Sequence, residues 1–347
     1  MVQHKNKSSE PLVSIIITSY NRANFISKSI DSALAQDYKN LEIIISDNNS
    51  TDDTDKVIQK YQNDPRVKYF KNSTNLGMIQ NFIIATEERA KGKYITYVSS
   101  DDFLINNHFI SQGIEIINKH DNVLLVFGIV VTLEKNIMKE DNKTLHLYAN
   151  EFQEGRKVFL DFANNKTLGW GAALINRKEL MDLNIFGSKA SSVDYEANLL
   201  LMLKGNVGFI NHNTYVFQLH DNQFSKNHLK TMESVLQNYT YIFETYKYAN
   251  QHNCLSHSQL EAWKNDLLFL EARYVTLRFL AINKNEYNRL MNYYKTNHLL
   301  VYRRLKTNIK HCFLSFFYRR PIFSLKILQL ISKSHHRNLK NILPGNE

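Results

Sequence analysis

The sequence has few of the residues that mark secreted or loosely linked proteins. Its 347 residues include two cysteines, Cys254 and Cys312, which excludes a disulfide scaffold and a four-cysteine metal site. Four prolines and eleven glycines leave little room for long flexible linkers. The composition, 43% hydrophobic and 22% charged, excludes a polytopic membrane protein. No apolar stretch near the start matches a secretory signal, so we expect a cytoplasmic protein.

Positive charge is concentrated at one end of the chain. The formal net charge is +10, and residues 301–347 hold ten of the 43 Lys and Arg residues but only one of the 33 acids, Glu347. The rest of the chain is therefore nearly neutral. A neutral body with a basic end predicts a localised anionic partner, such as a membrane surface or nucleic acid.

The first third of the chain alternates between β-branched runs and helical patterns. The β-branched runs are 13–18, 41–46, 67–70, 94–99 and 123–131. Three of them are nearly continuously apolar, which is typical of strands covered on both faces. Strand–helix alternation at this spacing predicts an α/β fold with a mostly parallel sheet. Ligands bind beyond the carboxyl ends of strands in such sheets, so we expect functional residues directly after each strand.

The pattern changes after about residue 135, where a polar segment predicts a loop or hairpin. The elements predicted beyond it are a helix near 157–164, a strand at 171–175, a helix at 195–204 and a strand at 207–217. From residue 226 the β-branched runs end and helical spacing continues to about residue 340. We therefore predict an α/β domain over 11–225 and an all-helical C-terminal region over 226–347.

Three polar clusters follow the predicted strands. They are 18–22 (TSYNR), 46–53 (SDNNSTDD) and 99–102 (SSDD). Adjacent carboxylates at one sheet edge repel one another without a cation, and their oxygen atoms suit Mg²⁺ or Mn²⁺ bridging a diphosphate. Each cluster alone is also typical of turns and helix N-caps. Convergence of all three on one edge favours a binding site.

These clusters lie in a stretch that resembles the opening of glycosyltransferase family 2. The stretch reads PLVSIIITSYNRANFISKSIDSALAQDYKNLEIIISDNNSTDDT. Residues 75–77 (NLG) and 97–102 (YVSSDD) also match, the latter resembling the family's metal-binding D-x-D element. The resemblance covers 11–104 closely and 105–222 loosely, and does not reach the helical region. It implies a GT-A fold, in which an α/β domain binds a nucleotide sugar, and inversion at the anomeric carbon.

The resemblance also implies which residues contact the nucleotide sugar. They are Thr18, Tyr20, Arg22, Asp47, Asn75, Ser100 and Asp102. Asp47 matches the Asp that hydrogen-bonds the base, and Asp102 is expected to reach the donor sugar or the metal. Asn48 and Asn49 stand where the family has Asp and Gly, which puts the base or ribose preference in question.

The implied cofactor is Mn²⁺ or Mg²⁺. Asp101 keeps the second acidic position of the D-x-D element and is the expected metal ligand, whereas Ser99 replaces the first acid. His220 follows a late predicted strand and would complete the metal or pyrophosphate site, since imidazole can bind Mn²⁺ beside carboxylates. It also fits an ordinary loop residue. The missing carboxylate puts the metal affinity in question.

Two further positions are implied on the acceptor side. Asp194 opens a predicted helix where the family places its general base, with Val193 in place of the usual Glu and Glu196 as the second choice. Asp194 also fits a carboxylate favoured by the helix dipole. Trp170 precedes a strand in the acceptor region, where an indole face can stack on a sugar. It also fits a core anchor.

The resemblance predicts an enzyme that transfers a sugar, from a UDP-sugar or related donor, to a hydroxyl of a surface glycan or its lipid-linked precursor. That chemistry favours the inner face of the cytoplasmic membrane as the partner of residues 301–340. The alternative is that this segment packs on the body, and no motif predicts nucleic-acid binding.

Ser99 and Val193 also fit a non-catalytic scaffold that keeps the fold. A sugar-nucleotide pyrophosphorylase is disfavoured, because 18–22 is not a glycine-rich phosphate loop.

Overall fold

Contacts divide the chain into two compact units. The computed structural model describes residues 10–135, 137–140, 145–165, 168–185, 192–220 and 230–308. The first unit is formed by Met1–Phe159, Thr167–Ser188 and Val193–Leu219, and the second by Leu160–Lys166, Lys189–Ser192 and His220–Glu347. The predicted domain boundary between residues 225 and 226 lies outside the described residues and stays a prediction.

The first unit begins with four parallel strands separated by helices. These elements are β1 (Val13–Ser19), α1 (Ile26–Leu34), β2 (Leu41–Asp47), α2 (Thr54–Gln59), β3 (Val67–Lys71), α3 (Met78–Ile84) and β4 (Tyr94–Ser99). Strand β1 pairs with β2 on one side and with β4 on the other. Nearly every residue of β1 and β2 is buried, which confirms the strands covered on both faces that the apolar runs predict.

The same sheet continues in the rest of the first unit. The elements up to residue 218 are β5 (Phe103–Leu104), α4 (Phe109–Lys119), β6 (Val123–Glu134), β7 (Ile137–Glu140), β8 (Phe152–Gln153), α5 (Gly155–Asn165), β9 (Ala173–Asn176), α6 (Arg177–Asp182), α7 (Val193–Lys204) and β10 (Asn206–Gln218). Of these, α5 begins in the first unit and continues into the second at Leu160. The strand order is β3-β2-β1-β4-β9-β6-β10-β5, with β7 beside β6 and β8 beside β10.

Parallel and antiparallel pairings coexist in this sheet. Strands β6 and β10 run parallel, whereas β9 runs antiparallel to both of its neighbours, β4 and β6. For the polar segment after β6, predicted as a loop or hairpin, the structure has β7 paired antiparallel with β6. The α/β fold class is confirmed. Helix α4 and the antiparallel insertion of β9 were not predicted from the sequence.

Residues 230–308 are helical, as the spacing of apolar residues predicts. The helices are α8 (Met232–Gln251), α9 (His257–Ile282), α10 (Lys284–Asn297) and α11 (Leu299–Thr307). Capping boxes begin the first two, pairing Thr231 with Ser234 and Ser256 with Gln259. None of the described helices is long and apolar enough to cross a membrane. Most of the basic segment, 309–340, lies outside the described residues.

Glu42 fastens the amino-terminal ends of the central strands. Its buried carboxylate accepts hydrogen bonds from Ser14 Oγ, the Lys91 N–H and Lys68 Nζ, each 2.6 Å long. These donors lie on β1, directly before β4 and on β3. Burial alone would raise the pKa of Glu42, but the hydrogen bonds outweigh it and hold the pKa below its ordinary value.

Glu42→Gln should lower the free energy of unfolding by about 1.5–3 kcal/mol near neutral pH, because a charged hydrogen-bond acceptor is lost. Since the folded-state pKa is depressed, this advantage of the wild type is present above the unfolded pKa of about 4.3 and is lost as pH falls through the folded value. Urea unfolding near pH 7 and near pH 3 measures it, with the exposed Glu115→Gln as control. An advantage of equal size at both pH values would contradict this account.

Candidate active site

Parallel pairing brings the carboxyl ends of β1, β2 and β4 to one edge of the sheet. Ser19 lies opposite Asp47 of β2, and Thr18 lies opposite Ser99 of β4. The three polar clusters of the sequence therefore meet at this edge. Tyr20, the next residue of the chain, is 43% exposed, so a ligand can reach its ring.

Hydrogen bonds fasten the loop after β1 to the loop after β2. The Asn21 N–H donates to Ser50 Oγ (2.9 Å), and Asn21 Oδ1 accepts from the Thr51 N–H (2.8 Å). The Arg22 N–H donates to Thr54 Oγ1 (3.0 Å). Asn21 has a φ of 52°, a left-handed conformation that Asn tolerates better than most residues. No role for Asn21 was predicted, although an Asn directly after a strand is a turn signal.

Asp47 holds the turn that follows β2 from the inside. Its side chain is fully buried. Oδ1 accepts hydrogen bonds from the Ser50 N–H (3.0 Å) and Ser50 Oγ (2.5 Å), and Oδ2 accepts one from the Tyr69 hydroxyl (3.1 Å). The carboxylate therefore shapes the turn, and its predicted hydrogen bond to a nucleotide base stays a prediction.

Asn75 lies between β3 and α3, in a loop that Asn48 ties to the end of β2. Asn48 Nδ2 donates to Asn75 Oδ1 (2.8 Å), and Asn48 Oδ1 accepts from the Leu76 N–H (2.9 Å). The loop that carries the predicted nucleotide contact of Asn75 is thus held beside the turn after β2.

Arg22 and Asp101 were predicted to serve nucleotide and metal separately, and the structure brings them together. Arg22 Nε lies 3.2 Å from Asp101 Oδ2. Arg22 Nη1 also donates to the carbonyl oxygens of Tyr20 (3.4 Å) and Asn21 (3.1 Å), which holds the guanidinium over its own loop. The sheet edge therefore presents a fixed cation and a fixed anion side by side.

Asp102 faces β10, into the protein. Its side chain is 2% exposed, and its two oxygens accept hydrogen bonds from the Tyr215 hydroxyl and the Gln218 N–H, both 2.8 Å long. The Tyr215 hydroxyl also accepts from the Ser99 N–H (3.2 Å). Burial, together with the nearby charge of Asp101, raises the pKa of Asp102 to about 7. Asp102 thus anchors the turn after β4, and its predicted contact with the donor sugar or the metal stays a prediction. Ser100 is buried in the same turn, and its predicted contact with the nucleotide sugar also stays a prediction.

The metal predicted at this edge would depend on few protein ligands. Within the described ranges, no three His, Cys, Asp or Glu side chains group into a metal site. The Asp101 carboxylate still fits Mg²⁺ or Mn²⁺, because such ions are often held by one or two carboxylates plus substrate phosphates and water. His220 is half-buried and follows the end of β10 by two residues. Its predicted role as a ligand stays a prediction.

Trp170 packs as a core side chain. It is 8% exposed and stacks on Tyr97, with ring centroids 4.4 Å apart and planes at 16°. Phe82 meets it edge-on at 5.7 Å. One indole face is therefore covered and little surface remains for a sugar. These contacts are those of a core anchor, the alternative interpretation, and the acceptor contact of Trp170 stays a prediction.

Asp194 and Glu196 lie in the first turn of α7. Asp194 is half-buried, and Glu196 is buried. A methyl group added at Gly169 would lie 3.3 Å from Asp194 Oδ2, so this carboxylate lies against the backbone before Trp170. Residues 186–191, directly before this turn, lie outside the described part of the chain. The roles of both acids stay predictions.

Sequence comparison identifies the family. Residues 14–183 match the profile of "Glycosyl transferase family 2". An uncharacterized glycosyltransferase of Haemophilus influenzae is 38% identical over 199 residues, which cover 52% of this chain and 78% of that protein. The chain belongs to glycosyltransferase family 2. Another relative is the Escherichia coli glucosyltransferase WfaP, 43% identical over 101 residues, which cover 29% of this chain and 39% of WfaP.

Other curated relatives match over shorter shares. An uncharacterized glycosyltransferase of Rickettsia typhi is 41% identical over 118 residues, which cover 34% of this chain and 36% of that protein. The chain spans about a third of the length of the first curated relatives that it matches.

Solved structures confirm the GT-A fold expected of a family 2 member. TarS of S. aureus in complex with UDP aligns with a TM-score of 0.55 at 17% identity, covering 89% of this chain and 92% of TarS 1–349. The mannosyltransferase PcManGT of Pyrobaculum calidifontis, in complex with GDP-Man and Mn²⁺, aligns with a TM-score of 0.53 at 12% identity, covering 95% and 89%. At such low identity the likeness shows the fold alone.

Asp102→Ala should lower the free energy of unfolding by about 1–3 kcal/mol, because the buried Tyr215 hydroxyl and Gln218 N–H both lose their acceptor. Asp102→Asn should cost less, since its amide oxygen still accepts one of these hydrogen bonds. Urea unfolding measures both variants, with Asp53→Ala in the exposed Lys56–Asp53 pair as control. Equal stability of Asp102→Ala and the control would contradict the anchoring role of Asp102.

Proposed function

We propose that this chain is an inverting glycosyltransferase that transfers a sugar from a nucleotide diphosphate, in the first instance UDP, to a hydroxyl of a lipid-linked surface-glycan precursor. The observation that carries the proposal is the geometry of the sheet edge. There the guanidinium of Arg22 donates a hydrogen bond to the carboxylate of Asp101, and the loops after β1 and β2 are hydrogen-bonded to each other. Membership in family 2 supports the reaction class.

The named activities of relatives support the donor and acceptor classes. WfaP is a UDP-Glc:α-D-GlcNAc-diphosphoundecaprenol β-1,3-glucosyltransferase. TarS has been solved with UDP and with UDP-GlcNAc. Both facts belong to those proteins. For this chain they favour a UDP-sugar donor and an acceptor glycan carried on a polyprenyl diphosphate.

The charged pair at the sheet edge suits a sugar diphosphate. The guanidinium of Arg22 presents several donors that can bind phosphate oxygens, and the exposed ring of Tyr20 can stack on a base. Asp101 would hold Mn²⁺ or Mg²⁺, and His220 stays a predicted ligand. Bound there, the ion would offset negative charge on the leaving diphosphate.

Inversion needs a base that removes the proton of the acceptor hydroxyl on the face opposite the leaving group. We assign this role to Asp194, in the first turn of α7, because its carboxylate is only half-buried and can meet a substrate. Glu196 is buried in the same turn and is the second choice.

The basic end of the chain suits a membrane surface. Residues 301–340 carry ten Lys and Arg residues and no acid. Each cation near anionic lipid contributes about 1 kcal/mol of attraction. We include in the proposal a peripheral position at the inner face of the cytoplasmic membrane, where lipid-linked precursors would be within reach.

Asp194→Asn should lower the transfer rate by at least about 100-fold while leaving UDP affinity unchanged, since general-base catalysis contributes about 10²–10⁴-fold. Transfer from UDP-Glc and UDP-GlcNAc to a synthetic GlcNAc-diphosphopolyprenol measures the rate, and calorimetry measures UDP affinity. Asp182→Asn, an exposed acid paired with Lys178 on α6, is the control. A near-normal rate in Asp194→Asn would reject Asp194 as the base.

Asp101→Ala should remove the effect of Mn²⁺ on nucleotide binding. We expect the wild type to bind UDP more tightly with Mn²⁺ than with a chelator present, because an ion held by Asp101 would offset the negative charge of the diphosphate. Calorimetry with UDP, GDP and dTDP measures this, again with Asp182→Asn as control. A full Mn²⁺ effect in Asp101→Ala would reject Asp101 as a ligand. If the wild type bound none of the three nucleotides, the alternative of a non-catalytic scaffold with the same fold would be favoured.

A further inference from the structure

Asn48 uses every hydrogen-bonding position of its side-chain amide. Oδ1 accepts from the Leu76 N–H (2.9 Å) and from Asn72 Nδ2 (3.0 Å). Nδ2 donates to the Gly77 carbonyl oxygen (3.1 Å) and to Asn75 Oδ1 (2.8 Å). Asn48 is only 4% exposed, and all four partners lie between β3 and α3. One buried amide therefore holds this whole loop against the end of β2.

Backbone groups decide which atom of Asn48 is the oxygen and which the nitrogen. The Leu76 N–H can only donate, so it must meet Oδ1, and the Gly77 carbonyl can only accept, so it must meet Nδ2. Asn75 is fixed in the same way, because its Oδ1 also accepts from the Gly77 N–H (2.9 Å). A carboxylate at position 48 would therefore place a negative oxygen against two acceptor oxygens.

Further polar side chains support Asn48: Asn72 in the same loop, Ser46 on β2, Asn81 on α3 and Arg89 in the segment directly after α3. Asn72 Nδ2 donates to Asn81 Oδ1 (3.0 Å) as well as to Asn48, and Asn81 Nδ2 donates to the Ser46 carbonyl oxygen (2.9 Å). Arg89 donates to Ser46 Oγ (2.6 Å) and to Asn72 Oδ1 (2.5 Å). The loop is thus held by a connected polar network, in which the loss of one member leaves its buried partners unpaired.

The outer side of the loop remains available to a ligand. Asn75 is exposed, and its Nδ2 makes no hydrogen bond within the described residues, while its Oδ1 is occupied by Asn48 and Gly77. The amide of Asn75 is therefore oriented with its acceptor inward and its two donor hydrogens unused. Such donors suit the oxygen atoms of a ribose or a phosphate.

We propose that Asn48 is a positioning residue for donor binding: its amide holds Asn75 and the loop 75–77 in the conformation that contacts the nucleotide sugar. This inference rests on the proposed function. In this chain the loop offers Asn48 two acceptors, which an amide can satisfy and a carboxylate cannot.

Asn48→Asp tests the inference with almost no change in side-chain size. We expect the KM for the donor to rise about tenfold or more while kcat stays within about twofold, because the loop loses two hydrogen bonds but Asp194 is untouched. Hydrogen exchange of residues 72–78, measured without donor, should become faster. Ser73→Asp, which adds the same charge at an exposed position of this loop, should match the wild type in both measurements.

A second variant tests the direction of the hydrogen bonds. Asn75→Asp keeps both acceptor bonds of Oδ1, so exchange of the Leu76 and Gly77 amides should remain as in the wild type. Unchanged exchange or an unchanged KM in Asn48→Asp, or exchange in Asn75→Asp as fast as in Asn48→Asp, would overturn the proposal. The exchange measurements need no donor, so they decide whether Asn48 holds the loop even if the proposed transfer activity is wrong.

Discussion

The parallel pairing of β1 with β2 and β4 is the constraint on which the candidate site depends. Because the backbone ladder fixes the register, the last residues of three strands lie in one row, with Thr18 opposite Ser99 and Ser19 opposite Asp47. Glu42 ties the other ends of these strands together. Strand pairing therefore places polar loops that are far apart in the chain at one edge of the sheet. Contacts between the loops are not needed to bring them together.

Hydrogen bonds from side chains hold the loops at that edge. Asn21 and Asp47 fasten the turns after β1 and β2, Asn48 fastens the loop before α3, and Asp102 fastens the turn after β4. Each of these side chains is polar and most are buried. Polar residues at the ends of parallel strands therefore have two roles in this protein. They offer groups that can bind a ligand, and they hold the loops that carry those groups in position.

The two neighbouring carboxylates at this edge, Asp101 and Asp102, lie in different surroundings. Asp101 lies against the guanidinium of Arg22, whereas its neighbour Asp102 is buried against β10 with a raised pKa. Two adjacent carboxylates in the sequence thus have different environments, one facing a cation and the other facing neutral donors. Burial and the charge of Asp101 both favour the neutral form of Asp102, which leaves Asp101 as the carboxylate that can meet a ligand.

The sequence by itself determined the α/β class, the first four strands, the helical region and the family, because hydrophobic periodicity and short motifs are local properties of the chain. It also located the three polar clusters. Only the tertiary structure decided the direction in which each side chain points: Trp170 packs into the core, Asp102 turns inward and Asn48 joins a loop more than 20 residues away. These outcomes depend on partners distant in sequence, such as Tyr97 and Tyr215, which no local pattern specifies.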